Sequence, residues 1–184
     1  MHEIDQLYEL YKLKQVNRKT VILKRNESTA EHIYSTIMLA KYFLKKIKDL
    51  DENKVINLIL YHDLCEIYAG DTFTSERTEI TNRKEQEATI KLSKIIPTEL
   101  SKEFLDYWNE WLAQETNEAK FAKAMDKLDP PINELYNMHK WKEYGYTEKM
   151  LRKTKEKYLL PFPELIDFFE EMIIEYKKRG LIKK

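Results

Sequence analysis

The stretch NLILYHDLCEIYAGD, residues 57–71, places ionisable side chains in an otherwise apolar run that predicts a buried helix. At about 100° per residue, His62, Asp63 and Glu66 share one face with apolar residues of the preceding turns. A carboxylate buried without a partner costs on the order of several kcal/mol. A bound cation is one suitable partner. However, a lone histidine on an apolar face is more often a hydrogen-bonded core residue, so the case for a metal depends on other residues.

Length and composition indicate a helical protein. The 184 residues suit a single domain, which we expect to span residues 1–184. Only three Gly and five Pro occur among many Leu, Ile, Lys, Glu and Tyr. We therefore expect an all-α fold, in which Asp51 caps the central helix that contains residues 57–71 and Gly70 ends it.

Charge and cysteine content exclude several classes of function. Basic and acidic residues number 32 each, so no global field attracts the chain to a nucleic acid polymer or an anionic membrane. Cys65 is the only cysteine, which excludes an intrachain disulfide and fits a reducing compartment. No apolar run approaches the ~20 residues of a membrane span, and the first residues are unlike a signal peptide. We expect a cytoplasmic protein.

A second histidine lies at the start of a predicted helix. Ser28 and Glu31 have the spacing of a capping box, which places His32 in the first turns of the helix that follows. We interpret the preceding residues 17–27 as a polar linker, and no strand pattern stands out in the chain. Considered alone, His32 would be an ordinary exposed histidine.

A further carboxylate, Asp126, lies among small apolar residues on a predicted inward face. Its helix begins after Thr116, and we expect Pro130 and Pro131 to end it. Asp126 would then lie late in its helix, where the helix dipole disfavours a negative charge and calls for a cation. An N-cap or surface acid is the alternative. We interpret Asp129, next to the prolines, as a helix-end or surface residue.

An aromatic stripe precedes that helix. Its spacing predicts a core element or a subunit interface rather than a platform for stacking bases, and it makes a homodimer plausible. The stripe consists of Leu100, Phe104, Tyr107, Trp108, Trp111 and Leu112.

His32, His62, Asp63 and Asp126 together supply two imidazoles and two carboxylates from three predicted helices. This set suits one divalent ion such as Mn, Co, Fe, Zn or Mg, with positions left for water. The sequence resembles the HD-domain phosphohydrolase superfamily, whose H…HD…D pattern is carried by these four residues. The resemblance extends over most of the chain and implies an HD-domain helical bundle.

Two longer motifs are similar to those of the bacterial 5′-deoxynucleotidases and their eukaryotic HD-domain relatives. They are RNESTAEH at residues 25–32 and HDLCEIYAGD at residues 62–71. The resemblance implies metal-dependent cleavage of (deoxy)nucleoside 5′-monophosphates to nucleoside and phosphate. In that group the chemistry is served by the residues that match Glu66 and Asp71.

The same resemblance suggests substrate-binding residues. The family holds the phosphate with an Arg upstream of the capping box, which maps best onto Arg18, with one residue fewer before the first histidine. Family members commonly have Trp next, against the sugar, where this chain has Lys19. The choice between deoxyribose and ribose is therefore open. Thr72, beside Asp71, adds a candidate hydroxyl contact, and Arg25 is an alternative clamp that pairs with a carboxylate.

The expected chemistry follows from charge. A divalent ion lowers the pKa of water and draws electron density from the phosphoryl oxygens. Asp71 would orient or deprotonate the water, and Glu66 would give a proton to the departing sugar oxygen. Phosphodiesterases of the superfamily that this sequence resembles usually need extra histidines for a second metal. The remaining histidines here, His2 and His139, lie in no matching motif, so we expect one ion. The alternatives are a nucleotide-sensing or assembly module without turnover, and a structural bundle with paired buried acids.

Overall fold

The computed structural model describes residues 2–72, 76–137 and 145–182, most of which are helical. Its helices are α1 Glu3–Tyr11, α2 Thr29–Phe43, α3 Glu52–Tyr61, α4 Glu66–Ala69, α5 Glu79–Ser93, α6 Thr98–Ala113, α7 Asn117–Asn137, α8 Glu148–Leu159 and α9 Pro163–Arg179. A 3₁₀ turn spans Lys12–Gln15, and two strands are β1 Asn17–Ile22 and β2 Arg25–Ser28. His139 lies outside the described residues.

The two strands form an antiparallel hairpin, so the linker interpretation of residues 17–27 is wrong. Val21 pairs with Asn26 and Ile22 with Arg25, around a tight turn in which Leu23 has a φ of 55°. The hairpin is short and half-exposed, which leaves little hydrophobic alternation in its sequence. It is supported instead by packing of β1 against α7, a contact distant in the chain.

The predicted central helix is interrupted at the HD dipeptide. Asp51 caps α3 by accepting the backbone N–H of Lys54 at 3.1 Å, as expected. However, α3 ends at Tyr61, and residues 62–65 form a turn before the short helix α4. Gly70 ends α4 with a φ of 74°, a conformation that favours glycine. The motif therefore lies on a helix–turn–helix corner rather than on one continuous face.

Helix α7 continues through Pro130 and Pro131 to Asn137, so the predicted break is wrong. Proline removes a backbone donor and crowds the preceding turn, but packing can hold a helix through it. Here the Tyr176 hydroxyl donates to the Pro131 carbonyl at 2.5 Å, which ties α9 to the proline turn. Asp126 therefore lies in the middle of its helix, where the helix dipole does not disfavour a negative charge.

Helices α2, α3 and α7 pack against one another at the centre of the fold, with α6 against α3 and with α8 and α9 against α7. Phe104, Trp108 and Trp111 of the aromatic stripe lie in this core, whereas Leu112 is exposed. The larger fully buried side chains include Phe43, Leu58, Ile59, Phe104, Phe121, Leu128, Phe169 and Tyr176. Within the described ranges, no helix has the length and apolar character needed to cross a membrane.

Candidate active site

The four sequence-predicted metal ligands come together where α2, α3 and α7 meet. His32 lies on α2, His62 and Asp63 lie in the turn after α3, and Asp126 lies on α7. His62 Nε2 is 2.9 Å from Asp63 Oδ2, and His32 Nε2 is 3.9 Å from the same oxygen. His32 Nε2 is also 3.3 Å from Asp126 Oδ1. All four residues are buried.

Both imidazoles are oriented through their Nδ1 atoms. His32 Nδ1 is 2.7 Å from Asp129 Oδ2, and His62 Nδ1 is 2.7 Å from the carbonyl oxygen of Ile59. A proton on each Nδ1 satisfies these acceptors and leaves a lone pair on each Nε2. Among the described residues, neither buried Nε2 has a partner with hydrogen-bond geometry, although oxygens of Asp63 and Asp126 lie 2.9 and 3.3 Å away. Two buried nitrogens that each present a lone pair suit a metal ion.

The two oxygens of the Asp126 carboxylate face different groups. Its Oδ1 faces His32, and its Oδ2 lies 3.3 Å from Lys123 Nζ and 3.1 Å from Lys127 Nζ. One oxygen is thus available to a cation while the other is held by lysines. Trp111 packs on the His62 ring with centroids 4.3 Å apart, so the aromatic stripe also supports the site.

The electrostatics of this group fit a cation. Burial and Arg18 lower the pKa of His32, but Asp129 and Asp126 outweigh them and raise it to about 9. For Asp63, burial favours the neutral form, and His62 and Arg18 overcome it and lower the pKa. The acids thus favour positive charge at the His32 imidazole, which a proton or a divalent ion would supply. Two nitrogens and two carboxylate oxygens are donors that a divalent ion accepts, so these residues fit the metal that the sequence predicts.

Glu66 and Asp71 lie beside the cluster. Glu66 begins α4, and one of its oxygens accepts the Thr29 hydroxyl at 2.8 Å. Burial, and then the charge of Asp63, raise the pKa of Glu66 to about 9. The pKa of Asp71, which follows Gly70, is also raised by burial, against the opposing effect of Arg18. Glu66 is therefore a carboxyl that retains its proton near neutral pH.

Arg18 extends from β1 into the same site. Its Nη1 lies 3.3 Å from Asp63 Oδ2 and 3.6 Å from Asp71 Oδ1, and its Nε lies 3.5 Å from Glu27 Oε2. Burial disfavours the charge, but Asp63, Asp71 and Glu66 outweigh it and raise the pKa of Arg18. The hairpin therefore brings a permanent cation to the edge of the candidate metal cluster.

Lys19 and Thr72, the other residues predicted to contact the substrate, lie differently relative to the site. Lys19 points to the opposite side of β1, where its exposed side chain pairs with Glu76. A backbone hydrogen bond from Lys19 nevertheless reaches the Asp71 carboxyl. Thr72 is half-buried next to Asp71, and its proposed contact with substrate stays a prediction.

Arg25 pairs with a carboxylate, as predicted by its alternative role as a clamp. Its Nη1 lies 2.9 Å from Oε2 of Glu31, the capping-box residue in the first turn of the helix that carries His32. Arg25 is exposed, so it braces the start of α2 from outside the site.

Two buried acids beside the cluster are not predicted from the sequence. Asp129 is buried and holds His32, so its interpretation as a helix-end or surface residue is wrong. It lies one turn after Asp126 on the same helix face, and this relation is hidden once a break is expected at the prolines. Glu27 is also buried, accepts from Asn133 at 3.2 Å, and has its pKa raised to about 7 by burial and Asp129.

Comparisons with known proteins agree with this architecture. A family model described as HD domain matches residues 10–165. The chain is 32% identical over 111 residues to the 5′-deoxynucleotidase HDDC2 of Homo sapiens, covering 58% of this chain and 52% of that protein. It is 30% identical over 141 residues to the 5′-deoxynucleotidase HDDC2 of Xenopus laevis, covering 76% and 69%. The chain thus spans about half the length of the human relative.

A crystal structure described as a predicted metal-dependent phosphohydrolase from Magnetospirillum magnetotacticum matches with a TM-score of 0.88 and 26% identity. The match covers 98% of this chain and 94% of that one. An HD-domain phosphohydrolase from Listeria innocua shares the fold with a TM-score of 0.62 at 20% identity. The family match over most of the sequence and the all-α architecture lead to one conclusion: the chain belongs to the HD-domain family, whose metal-dependent phosphohydrolases imply a divalent ion at this site.

Proposed function

We propose that the protein is a metal-dependent phosphomonoesterase that cleaves (deoxy)nucleoside 5′-monophosphates to nucleoside and phosphate. One observation carries the proposal. Two buried imidazole Nε2 atoms without hydrogen-bond partners among the described residues lie beside two carboxylates and Arg18. The names of the HDDC2 relatives support a nucleotide substrate.

His32, His62, Asp63 and Asp126 would hold the ion. When bound, a divalent ion supplies Lewis acidity, which makes water more acidic and withdraws charge from the phosphoryl oxygens. We favour one ion and leave its identity among Mn, Co, Fe, Zn and Mg. Asp129 would keep the His32 ring in the tautomer that presents Nε2 to the ion.

Three protein residues would bind the phosphate and transfer the protons. Arg18 would bind two phosphate oxygens through its guanidinium fork. Asp71 would accept a proton from the attacking water, whose oxygen forms the new bond to phosphorus. As the bond from phosphorus to the sugar oxygen breaks, Glu66 would donate its proton to that oxygen. Its raised pKa supports this role, because a general acid must be protonated at the working pH.

Sugar selection depends on the β1 edge. Lys19 takes the place of the Trp common in related enzymes but points to the opposite side of β1, so it would offer the sugar little apolar surface, and Thr72 would add a hydroxyl contact. We therefore propose that deoxyribose and ribose substrates are both accepted.

A phosphate-release screen tests the proposal. Purified protein is incubated with ribo- and deoxyribonucleoside 5′-monophosphates and each of the five metals. We expect phosphate release that stops on chelation and resumes when metal is restored. Saturable nucleotide binding without phosphate release would instead identify a sensing or assembly module. Unchanged melting temperature and ligand binding after chelation would indicate a structural bundle.

We also propose a single domain over residues 1–184 that functions as a cytoplasmic homodimer. Because Trp108 and Trp111 are core residues, the dimer now rests on the family resemblance alone. A sedimentation measurement that finds only monomer would reject it, and two separate unfolding transitions would reject the single domain.

A further inference from the structure

Helix α8 buries a lysine in the middle of an apolar stripe. Leu151, Lys155 and Leu159 are spaced four residues apart and form the buried face of this helix, which packs against α7. Lys155 is only 8% exposed. Since lysine is among the residues least often fully buried, its presence here calls for a partner.

The described part of the protein contains no hydrogen bond or ion pair to the Lys155 ammonium. Its electrostatic neighbours are Lys127, Asp126, Arg18 and Asp129, all residues of the candidate active site. Burial, and then repulsion by Lys127, lower the pKa of Lys155 to about 7, and the attraction of Asp126 and Asp129 does not compensate. The Lys155 ammonium, a group with three N–H donors, thus interacts electrostatically with the site and has no acceptor among the described residues.

Neutralising the acids does not explain this lysine. Oδ2 of Asp126 is already paired with both Lys123 and Lys127, and Oδ2 of Asp129 is held by His32. A third lysine adds positive charge to a side that is already basic. An anion that enters the site would remove this excess.

We infer that Lys155 is a second phosphate-binding residue, which donates to a non-bridging phosphoryl oxygen from the α8 side while Arg18 binds from the β1 side. The inference rests on the proposed function for the identity of the substrate as a phosphomonoester. The recognition itself requires only a phosphate dianion. Lys155 supplies a point charge, whereas Arg18 supplies a planar fork, so the two cations bind different oxygens without competing.

Binding of inorganic phosphate to the Mn-loaded protein tests this inference without turnover. The variants are Lys155→Met, Lys155→Gln and Lys155→Arg, with Lys153→Met as a matched control on the exposed side of the same helix. Calorimetry should show phosphate affinity about 10- to 100-fold weaker for the Met and Gln variants, as expected for loss of a charged hydrogen bond. Lys155→Arg should recover part of the affinity, and Lys153→Met should match the wild type.

A separate measurement excludes a structural role. Methionine has a similar length and no charge to desolvate, so Lys155→Met should melt at a higher temperature than the wild type near pH 6 while binding phosphate less tightly. Wild-type phosphate affinity in both the Met and Gln variants overturns the inference. So does loss of the fold in both variants, since the ammonium would then serve the structure itself.

The outcome is separable from that of the proposed function. If no nucleotide is hydrolysed and the variants still lose phosphate affinity, the proposed function fails and Lys155 remains a phosphate-binding residue. If nucleotides are hydrolysed and phosphate affinity is unchanged in the variants, the proposed function stands and the inference about Lys155 fails.

Discussion

Two groups of charged residues border the candidate site, and they are neutralised differently. The acidic side comprises Glu27, Asp63, Glu66 and Asp71. Its single arginine, Arg18, pairs with Glu27, Asp63 and Asp71. On the lysine side, which comprises Lys123, Lys127 and Lys155, the first two pair with the same oxygen of Asp126 and the third has no ion pair among the described residues.

The difference shows what each side lacks. The acidic side has more carboxylates than cations and presents two imidazole nitrogens, which suits a metal ion. The lysine side has more cations than paired carboxylates, which suits an anion. A phosphate bound to a metal satisfies both requirements, so the asymmetry of the protein matches that of the complex we propose.

The largest effect should come from the proton donor on the acidic side. Glu66→Gln keeps the size of the side chain and an acceptor for the Thr29 hydroxyl, but it cannot donate an acidic proton. We expect turnover to fall by about 100- to 10,000-fold with metal content unchanged. Phosphate-release kinetics and metal analysis measure the two quantities. The exposed Glu115→Gln is the control, and full turnover in Glu66→Gln would remove Glu66 from its role.

The lysine side should produce the next effect, as a dependence of stability on pH. The pKa of Lys155 is about 7 in the folded protein and about 10.5 when exposed, so the unfolded state binds more protons between these values. This residue therefore destabilises the fold fully below pH 7, and the penalty disappears as pH rises towards 10.5. The advantage of Lys155→Met over wild type should shrink by at most about 1.4 kcal/mol per pH unit in that window.

Urea denaturation of both proteins at several pH values measures this difference. Lys153→Met serves as the control, because its exposed side chain should give a constant difference. A constant difference for Lys155→Met as well would show that burial does not shift the titration of Lys155.

A smaller effect is expected where the two sides meet at His32. Asp129→Asn removes the charge that orients the His32 ring but keeps its shape. We expect metal affinity to weaken by about 10- to 100-fold, as is typical when the partner of a histidine ligand is lost. Competition with a chelator measures the affinity, and the exposed Asp106→Asn is the control. Unchanged affinity would assign Asp129 to packing alone.

The smallest effect concerns the helix that carries His32 to the site. Ser28 accepts the backbone N–H of Glu31 at 3.3 Å, and Ser28→Ala removes this cap. We expect the free energy of unfolding to fall by about 1 kcal/mol without a change in metal stoichiometry. Ser35→Ala, farther along α2, should change stability by less than about 0.5 kcal/mol. Equal losses in both variants would contradict a specific capping role.

Residues that belong to local patterns were predictable. The capping box at Ser28, the cap at Asp51 and the stop at Gly70 depend on neighbours within a few residues, and the structure confirms all three. The family was also predictable, because its motifs are contiguous or nearly so. The all-α prediction is confirmed with one exception, the short hairpin.

The errors share one cause. Helix α7 continues through Pro130 because α9 packs on the proline turn, and the hairpin forms because β1 packs on α7. Both contacts join residues far apart in the chain, which periodicity within a short window does not register. Asp129 was missed for the same reason, since its role depends on the continuity of α7.

The sequence alone therefore determined the helical class, the helix starts at Ser28 and Asp51, and the candidate set of imidazoles and carboxylates, because these follow from spacing along the chain. Only the tertiary structure decided that Asp129 orients His32, that Arg18 reaches Asp63, and that Lys155 is buried without an ion pair among the described residues. The physical reason is that burial and charge pairing are properties of the packed chain. A lysine has the same side chain at the surface and in the core, and only its surroundings make it an anion-binding group.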